Sequence, residues 1–166
     1  MNIFKLDDCP QRSAELQHDK HVVKMILESA QLLCGAYGTE NTPPYKRTHY
    51  NHPCSIWTRT SRENYEWLIS HAMSLSYEYT RRYGRVHKSQ AVIEWCSKNI
   101  DLIEFTDSGF TELPMAMPDE YKSDNVVTAY RQYYINEKLN QKTGWRARNV
   151  PKIFKNKMEL IQSQSV

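Results

Sequence analysis

The stretch from Ser61 to Gly84 constrains the fold more than any other part of the chain. Tyr65, Leu68, Ile69, Ala72, Leu75 and Tyr79 recur at helical spacing, which sets one apolar stripe along a long α-helix. Ser61 is an N-cap residue type, and Gly84 permits the left-handed turn that stops a helix. A helix with one apolar face needs partners to cover it. The spacing predicts a first partner from near Arg12 to Ala36, ended by Gly35 and Gly38. Pro43-Pro44 makes the following loop extended, and Pro53 is placed to open the next element. A third helix begins near Ser89 and carries Val92, Ile93, Trp95, Cys96 and Ile100. Pro114 and Pro118 forbid a regular helix across 105–122. Leu113, Met115 and Met117 are apolar enough to pack that segment down as an ordered loop. Ser123 or Asp124 caps a fourth helix with Val127, Tyr130 and Tyr134, and a short last helix falls near Pro151 to Ile161. With no repeat, low-complexity tract or linker, and only five glycines, a turn-rich all-β design is disfavoured. The expectation is a mainly α, single-domain helical bundle over 1–166, of about four to five helices with long ordered loops.

Charge is informative through its placement. The net charge of +3 is mild, yet Lys138, Lys142, Arg146, Arg148, Lys152, Lys155 and Lys157 follow one another with no Asp or Glu between them. That is either a field suited to a polyanion or a solvated basic tail. Cys9, Cys34, Cys54 and Cys96 form no C-x-x-C pair. No signal-peptide segment opens the chain and no apolar run has membrane-spanning length. Free thiols in a reducing cytoplasm, a host's if the protein is phage-encoded, and no membrane association are the expectation.

The densest group of ionisable residues lies in His18-Asp19-Lys20-His21-Val22-Val23-Lys24-Met25-Ile26-Leu27-Glu28. On a helical wheel Val22, Ile26, Ala30 and Leu33 share one face, while Lys20, His21, Lys24, Glu28 and Gln31 crowd the other. Asp19 falls on the apolar side, which suits a buried organiser. Glu28 reads either as half of a surface ion pair with Lys24 or as a carboxylate that shuttles a proton and stabilises a positive sugar centre. Lys20 and Lys24, one turn apart, are ordinary solvated lysines or amine nucleophiles. His18/His21 and His49/His52 are H-x-x-H pairs, the second followed by Cys54. Polar-network or phosphate-contacting histidines are favoured over a zinc site, and neither a metal nor another cofactor is expected.

Further along, Asn51-His52-Pro53 precedes Trp57, Arg59 and Arg62, which mixes a stacking ring with phosphate-binding groups. Arg81, Arg82, Arg85, His87 and Lys88 surround the Gly84 stop, where the helix macrodipole alone also favours cations. Trp145 lies inside the basic C-terminal segment, either as an aromatic wedge in a polyanion groove or as a core anchor.

Asp19-Lys20-His21 followed after seven residues by Glu28 resembles the first helix of the phage pyrimidine-dimer DNA glycosylases of the endonuclease V type. There an Asp-Gln-His precedes the catalytic glutamate at the same interval. The apolar opening from Ile3 to Leu6 is similar to that family's N-terminus. Asn136-Glu137-Lys138 through Thr143-Gly144-Trp145 resembles its Asp-Glu-Lys through Pro-Thr-Trp ending. The chain also resembles a set of phage proteins sharing the Asp-Lys-His-Val-Val-Lys-Met and Asn-His-Pro stretches. The resemblance implies that Glu28 is the catalytic carboxylate, that an N-terminal α-amine is the nucleophile, and that Trp145 meets DNA. In that family the amine attacks C1′ and forms an imine that permits strand scission. An α-amine suits this work because it ordinarily titrates at about 7.7–8.0. The family exposes a threonine after loss of its initiator methionine. Residue 2 here is Asn2, a side chain large enough to retain Met1, so Met1 is the expected amine, with Lys20 and Lys24 in reserve.

The expected function is therefore a DNA-acting enzyme directed at a pyrimidine nucleotide in duplex DNA, a base-excising glycosylase with AP-lyase activity. Glu28, His21, Met1, Lys20 and Lys24 are the candidate catalytic residues. His52, Arg59, Arg82, Lys138, Lys142, Trp145, Arg146, Arg148 and Lys152 are the candidate DNA contacts. Two alternatives stand beside it. One is a phage thymine-hypermodification enzyme that transfers an amine or amino acid onto an activated hydroxymethyl pyrimidine. The other is a non-catalytic phage DNA-binding or host-interaction protein.

Overall fold

The computed structural model describes residues 1–164. Seven α-helices are found among them: α1 Pro10–Leu16, α2 Asp19–Cys34, α3 Pro53–Thr60, α4 Arg62–Tyr83, α5 Gln90–Lys98, α6 Val126–Glu137 and α7 Lys152–Gln164. Single 3₁₀ turns stand at Thr39–Asn41, Ile100–Leu102 and Asp119–Tyr121, and no strand is formed among the described residues. The mainly helical expectation holds, but four to five helices was too few, because α3 is a separate short helix and the predicted first helix is two.

The central helix α4 follows the sequence closely. Ser61 Oγ accepts from Asn64 N at 3.1 Å, and Gly84 takes a left-handed φ of 71°. Tyr65, Leu68, Ala72, Leu75 and Tyr79 are buried, and α4 packs against α1, α2, α3 and α5. Asn125, rather than Ser123 or Asp124, caps α6 through its side chain, 2.9 Å from Thr128 N.

The break between α1 and α2 has a clear physical cause. Gln17 and His18 are extended, with ψ of 139° and 166°. The carbonyls that lose helical partners there gain tertiary ones. Arg82 Nη2 donates to Glu15 O (3.0 Å), Trp145 Nε1 to Leu16 O (2.9 Å) and Arg82 Nη1 to Gln17 O (2.8 Å). The freed donors are met as well: His18 N donates to the Tyr134 hydroxyl (3.0 Å) and Asp19 N to Gly144 O (2.9 Å). Buried backbone groups need partners, and here residues distant in sequence supply all five. The local 3.6-residue pattern does not show this.

Residues 1–6 have no regular structure, yet Ile3, Phe4, Lys5 and Leu6 are buried. Ser13 Oγ donates to Phe4 O (2.9 Å) and accepts from Leu6 N (3.0 Å), while Arg131 Nε donates to Leu6 O (2.7 Å). The Phe4 ring stacks on His21 of α2, with centroids 4.4 Å apart. The N-terminus is thereby laid along α2.

Arg82 is fully buried at its side chain and sits between Glu78 (2.9 Å) and Asp19 (3.2 Å). Removing one partner of such a buried network leaves uncompensated charge. Arg82→Leu is expected to cost about 3–5 kcal/mol, read as a lower urea midpoint or failure to fold. A loss below about 1 kcal/mol would show that the α1–α2 break is held by other contacts.

Candidate active site

Docking residues 1–6 against α2 brings the Met1 amine to Glu28. The nitrogen lies 3.7 Å from Glu28 Oε1, with the Met1 and Glu28 side chains only 4% and 12% exposed. Glu28 Oε2 makes no hydrogen bond, and Lys24 Nζ stands 3.7 Å from it. Both separations are ion-pair distances, longer than a hydrogen bond. An amine and a carboxylate therefore face each other without being locked together, an arrangement in which a reacting carbon can lie close to both.

His52 joins this pair. It caps α3, its Nδ1 accepting from Cys54 N at 3.0 Å, so the neutral ring carries its proton on Nε2. Burial, then the charges of the Met1 amine and His49, lower its pKa, and Glu28 opposes them. Helix α3 thus presents His52 to the field of the amine and the carboxylate. Lys24 is largely exposed beside them, at 69%. A groove of about 650 Å³ starts at Lys24 and runs between Val23 and Leu27 of α2 and residues 45–48. Lys46, Arg47, His87 and Lys88 also line it, with no Asp or Glu on its walls. Its floor is apolar and its rim cationic, as polyanion recognition requires.

The other sequence candidates fall into distinct places. His21 lies seven residues from Glu28, about 10 Å along the helix axis. Its ring is stacked between Phe4 and His18 (4.4 and 4.1 Å), and its Nδ1 is 2.8 Å from the Tyr134 hydroxyl. Lys20 is exposed farther along α2 and lines a shallow groove with Lys142. Lys138 lies over the Tyr133 ring (4.9 Å) and Arg146 over Tyr83 (5.0 Å). Asp19, half-buried rather than buried as expected, accepts from Arg146 N (2.9 Å) and from Arg82.

Three expected DNA contacts are engaged inside the protein. Arg82 is buried in the tie described above. Trp145 is in the core, 6% exposed, stacked on Phe154 at 5.8 Å; its apolar ring is worth more in contact with Phe154 than in solvent. Arg148 grips Glu78 through Nε and Nη2. Burial alone would raise the Glu78 carboxyl, but hydrogen bonds and charge from Arg148 and Arg82 hold it low. Lys152 is exposed and lines a cleft of about 720 Å³ with Arg12, Glu15, Arg81 and Arg148. That cleft lacks the Met1–Glu28 pair, and Arg148 there is spent on Glu78 and Glu15. Sequence reasoning missed Tyr50 and Arg47, which flank the site on the loop before α3, because they belong to no periodic element.

A family model described as pyrimidine dimer DNA glycosylase matches residues 1–91, more than half of the chain. The chain belongs to that family. The matched span carries the buried N-terminus, Glu28, Lys24 and His52, and the resemblance read from Asp19-Lys20-His21 and Glu28 points to the same family. No curated protein and no solved structure matches the chain. The family is one of DNA glycosylases, so the substrate is DNA. No helix among the described residues is long and apolar enough to cross a membrane.

Two buried histidines and one half-buried one give the fold a pH dependence. Burial lowers His18 and His71 from 6.5 to about 4 and His21 to about 2; the nearby His18 and Lys138 push His21 the same way. Between the folded and unfolded values the unfolded chain binds more protons. Stability is therefore full above about pH 6.5 and falls as the pH drops. The urea midpoint is expected to decline steadily from pH 7 to pH 5. A midpoint flat over that range would contradict three rings held neutral in the folded protein.

Proposed function

We propose that the protein excises a pyrimidine base from duplex DNA and cleaves the resulting site, with the Met1 α-amine as nucleophile and Glu28 as the carboxylate. The observation that carries this reading is the 3.7 Å separation of the Met1 nitrogen and Glu28 Oε1 in a buried setting. The unprotonated amine attacks C1′ of the nucleotide, and the glycosidic bond breaks with its electron pair leaving on the base. Glu28 stabilises the positive charge on the sugar and relays the proton that the base requires. Loss of an amine proton frees the nitrogen lone pair, which expels O4′. That oxygen takes a proton relayed by Glu28, so the C1′–O4′ bond breaks, the sugar ring opens and a protonated imine joins the amine to C1′. Removal of a C2′ proton then expels the 3′ phosphate by elimination, and water releases the amine.

The surroundings serve the same chemistry. Lys24, beside Glu28, meets a phosphate or steadies the carboxylate. His52, with its proton on Nε2, donates to the sugar–phosphate backbone at the mouth of the site. The exposed Lys20, Lys142, Arg146 and Lys152, with the half-buried Lys138 and Arg59, supply the sequence-independent phosphate attraction that DNA binding requires. His21 acts as a positioning residue, since it holds Phe4 and hence Met1 in register with Glu28.

Glu28→Gln keeps the shape and removes the charge. It is expected to lower single-turnover cleavage of duplexes containing a pyrimidine dimer by roughly 100-fold or more, while DNA binding stays within a few-fold of the parent. Cleavage equal to the parent's would remove Glu28 from the mechanism.

A further inference from the structure

Trp145, the ring expected to meet DNA, is in the core, but another aromatic group stands exposed beside the candidate site. Tyr50 is 38% exposed. The guanidinium carbon of Arg59 lies 3.7 Å from its ring centroid and that of Arg47 lies 4.1 Å from it. Two planar guanidinium groups cannot share one face of a six-membered ring at those distances, so they cover opposite faces. The result is a tyrosine ring held between two guanidinium groups.

The stack is held from within. Arg59 Nη1 donates to Tyr50 O at 2.7 Å, and Arg47 Nη2 donates to Tyr37 O at 2.8 Å. Both partners are carbonyls, and no carboxylate pairs with either arginine among the described residues, so both charges stay unneutralised. His49, the residue before Tyr50, has a φ of 51°, a left-handed conformation uncommon for a residue other than glycine. The 2.8 Å bond between Thr48 Oγ1 and His49 Nδ1 fixes that turn. Strain of this kind persists where the surroundings over-determine it. Two residues after Tyr50 comes His52, which stands in the field of Met1 and Glu28.

Guanidinium planes stack on nucleobases while their N–H edges bond phosphate oxygens, and a lysine cannot replace the planar contact. Arginines ordered before the partner arrives also lose less freedom on binding. We propose that the Arg47–Tyr50–Arg59 stack is a DNA-contact element, on whose outer planes bases next to the reacting nucleotide stack. This rests on the reading of the chain as a DNA glycosylase and assigns it DNA-contact residues on the loop before α3 and on α3 itself. Tyr50 is a positioning residue here: it sets the two planes and takes no part in bond making.

The test uses the full chain and a duplex with a tetrahydrofuran abasic analogue flanked by 2-aminopurine, whose fluorescence reports stacking. The parent is expected to bind this duplex and change the 2-aminopurine signal. Tyr50→Leu and Arg47→Lys, the second of which keeps the charge, are expected to bind about tenfold more weakly or worse and to lose the signal change. Tyr50→Phe is expected to retain both. Where Tyr50→Leu melts early, Arg47→Lys alone decides. Variants that alter 2-aminopurine as the parent does, whether binding is weakened or not, would overturn the stacking role. A parent that does not bind the abasic duplex would overturn the glycosylase reading itself.

Discussion

The burial of residues 1–6 against α2 is the interaction on which the site depends. Phe4 is the centre of it. Its ring lies on His21, its carbonyl accepts from Ser13, and the backbone two residues on is held by Ser13 and Arg131. An extended segment has few local hydrogen bonds, so these tertiary ones define its path. The Met1 nitrogen reaches Glu28 only because that path is fixed. The same logic holds one layer deeper, where Arg82, Trp145 and Tyr134 satisfy the broken backbone between α1 and α2 and so set the direction in which α2 leaves. Tyr134 serves both layers, through His18 N and through His21 Nδ1.

Much of the fold was legible in the sequence, and the gaps have definite causes. Ser61, the apolar stripe and Gly84 set the ends of α4 because capping and stopping are local effects. The same holds for Pro53 at the start of α3 and for the ordered loop around Pro114 and Pro118. The break at Gln17–His18 was not legible. Helical spacing continues through it, and the groups that pull the helix open lie at positions 82, 134 and 145. The site shows the same division. Glu28 as the carboxylate and an N-terminal amine as the nucleophile both followed from a resemblance, and it is the fold that brings the two within 3.7 Å. Which basic and aromatic residues face outward depended on packing. Arg82, Arg148 and Trp145 turned inward because Glu78, the carbonyls of the α1–α2 break and Phe154 offered them better partners than water. Tyr50 and Arg47 stayed out because their loop is fixed by its own turn and by Tyr37 O.

This division has a functional consequence. The charges read as one basic C-terminal field split into two sets. Arg148 is neutralised inside the protein, while Lys138, Lys142, Arg146 and Lys152 remain toward solvent. Lys24 and the cation-rimmed groove beside Leu27 border the amine and carboxylate, whereas Lys20 and Lys142 share a groove farther along α2 and Lys152 lines a separate cleft. On the proposed reading, electrostatic attraction to Lys24 and the groove beside Leu27 brings a phosphate backbone to Met1 and Glu28.

The central claim is that the α-amine of Met1, and not a lysine, is the nucleophile. Borohydride reduction during turnover on an abasic duplex traps the imine as a stable amine, and proteolysis with mass spectrometry locates it. The account predicts that the adduct is carried by the peptide of residues 1–5, at the α-nitrogen. An adduct on the peptides holding Lys20 or Lys24, or strand cleavage with no trapped adduct, would contradict it.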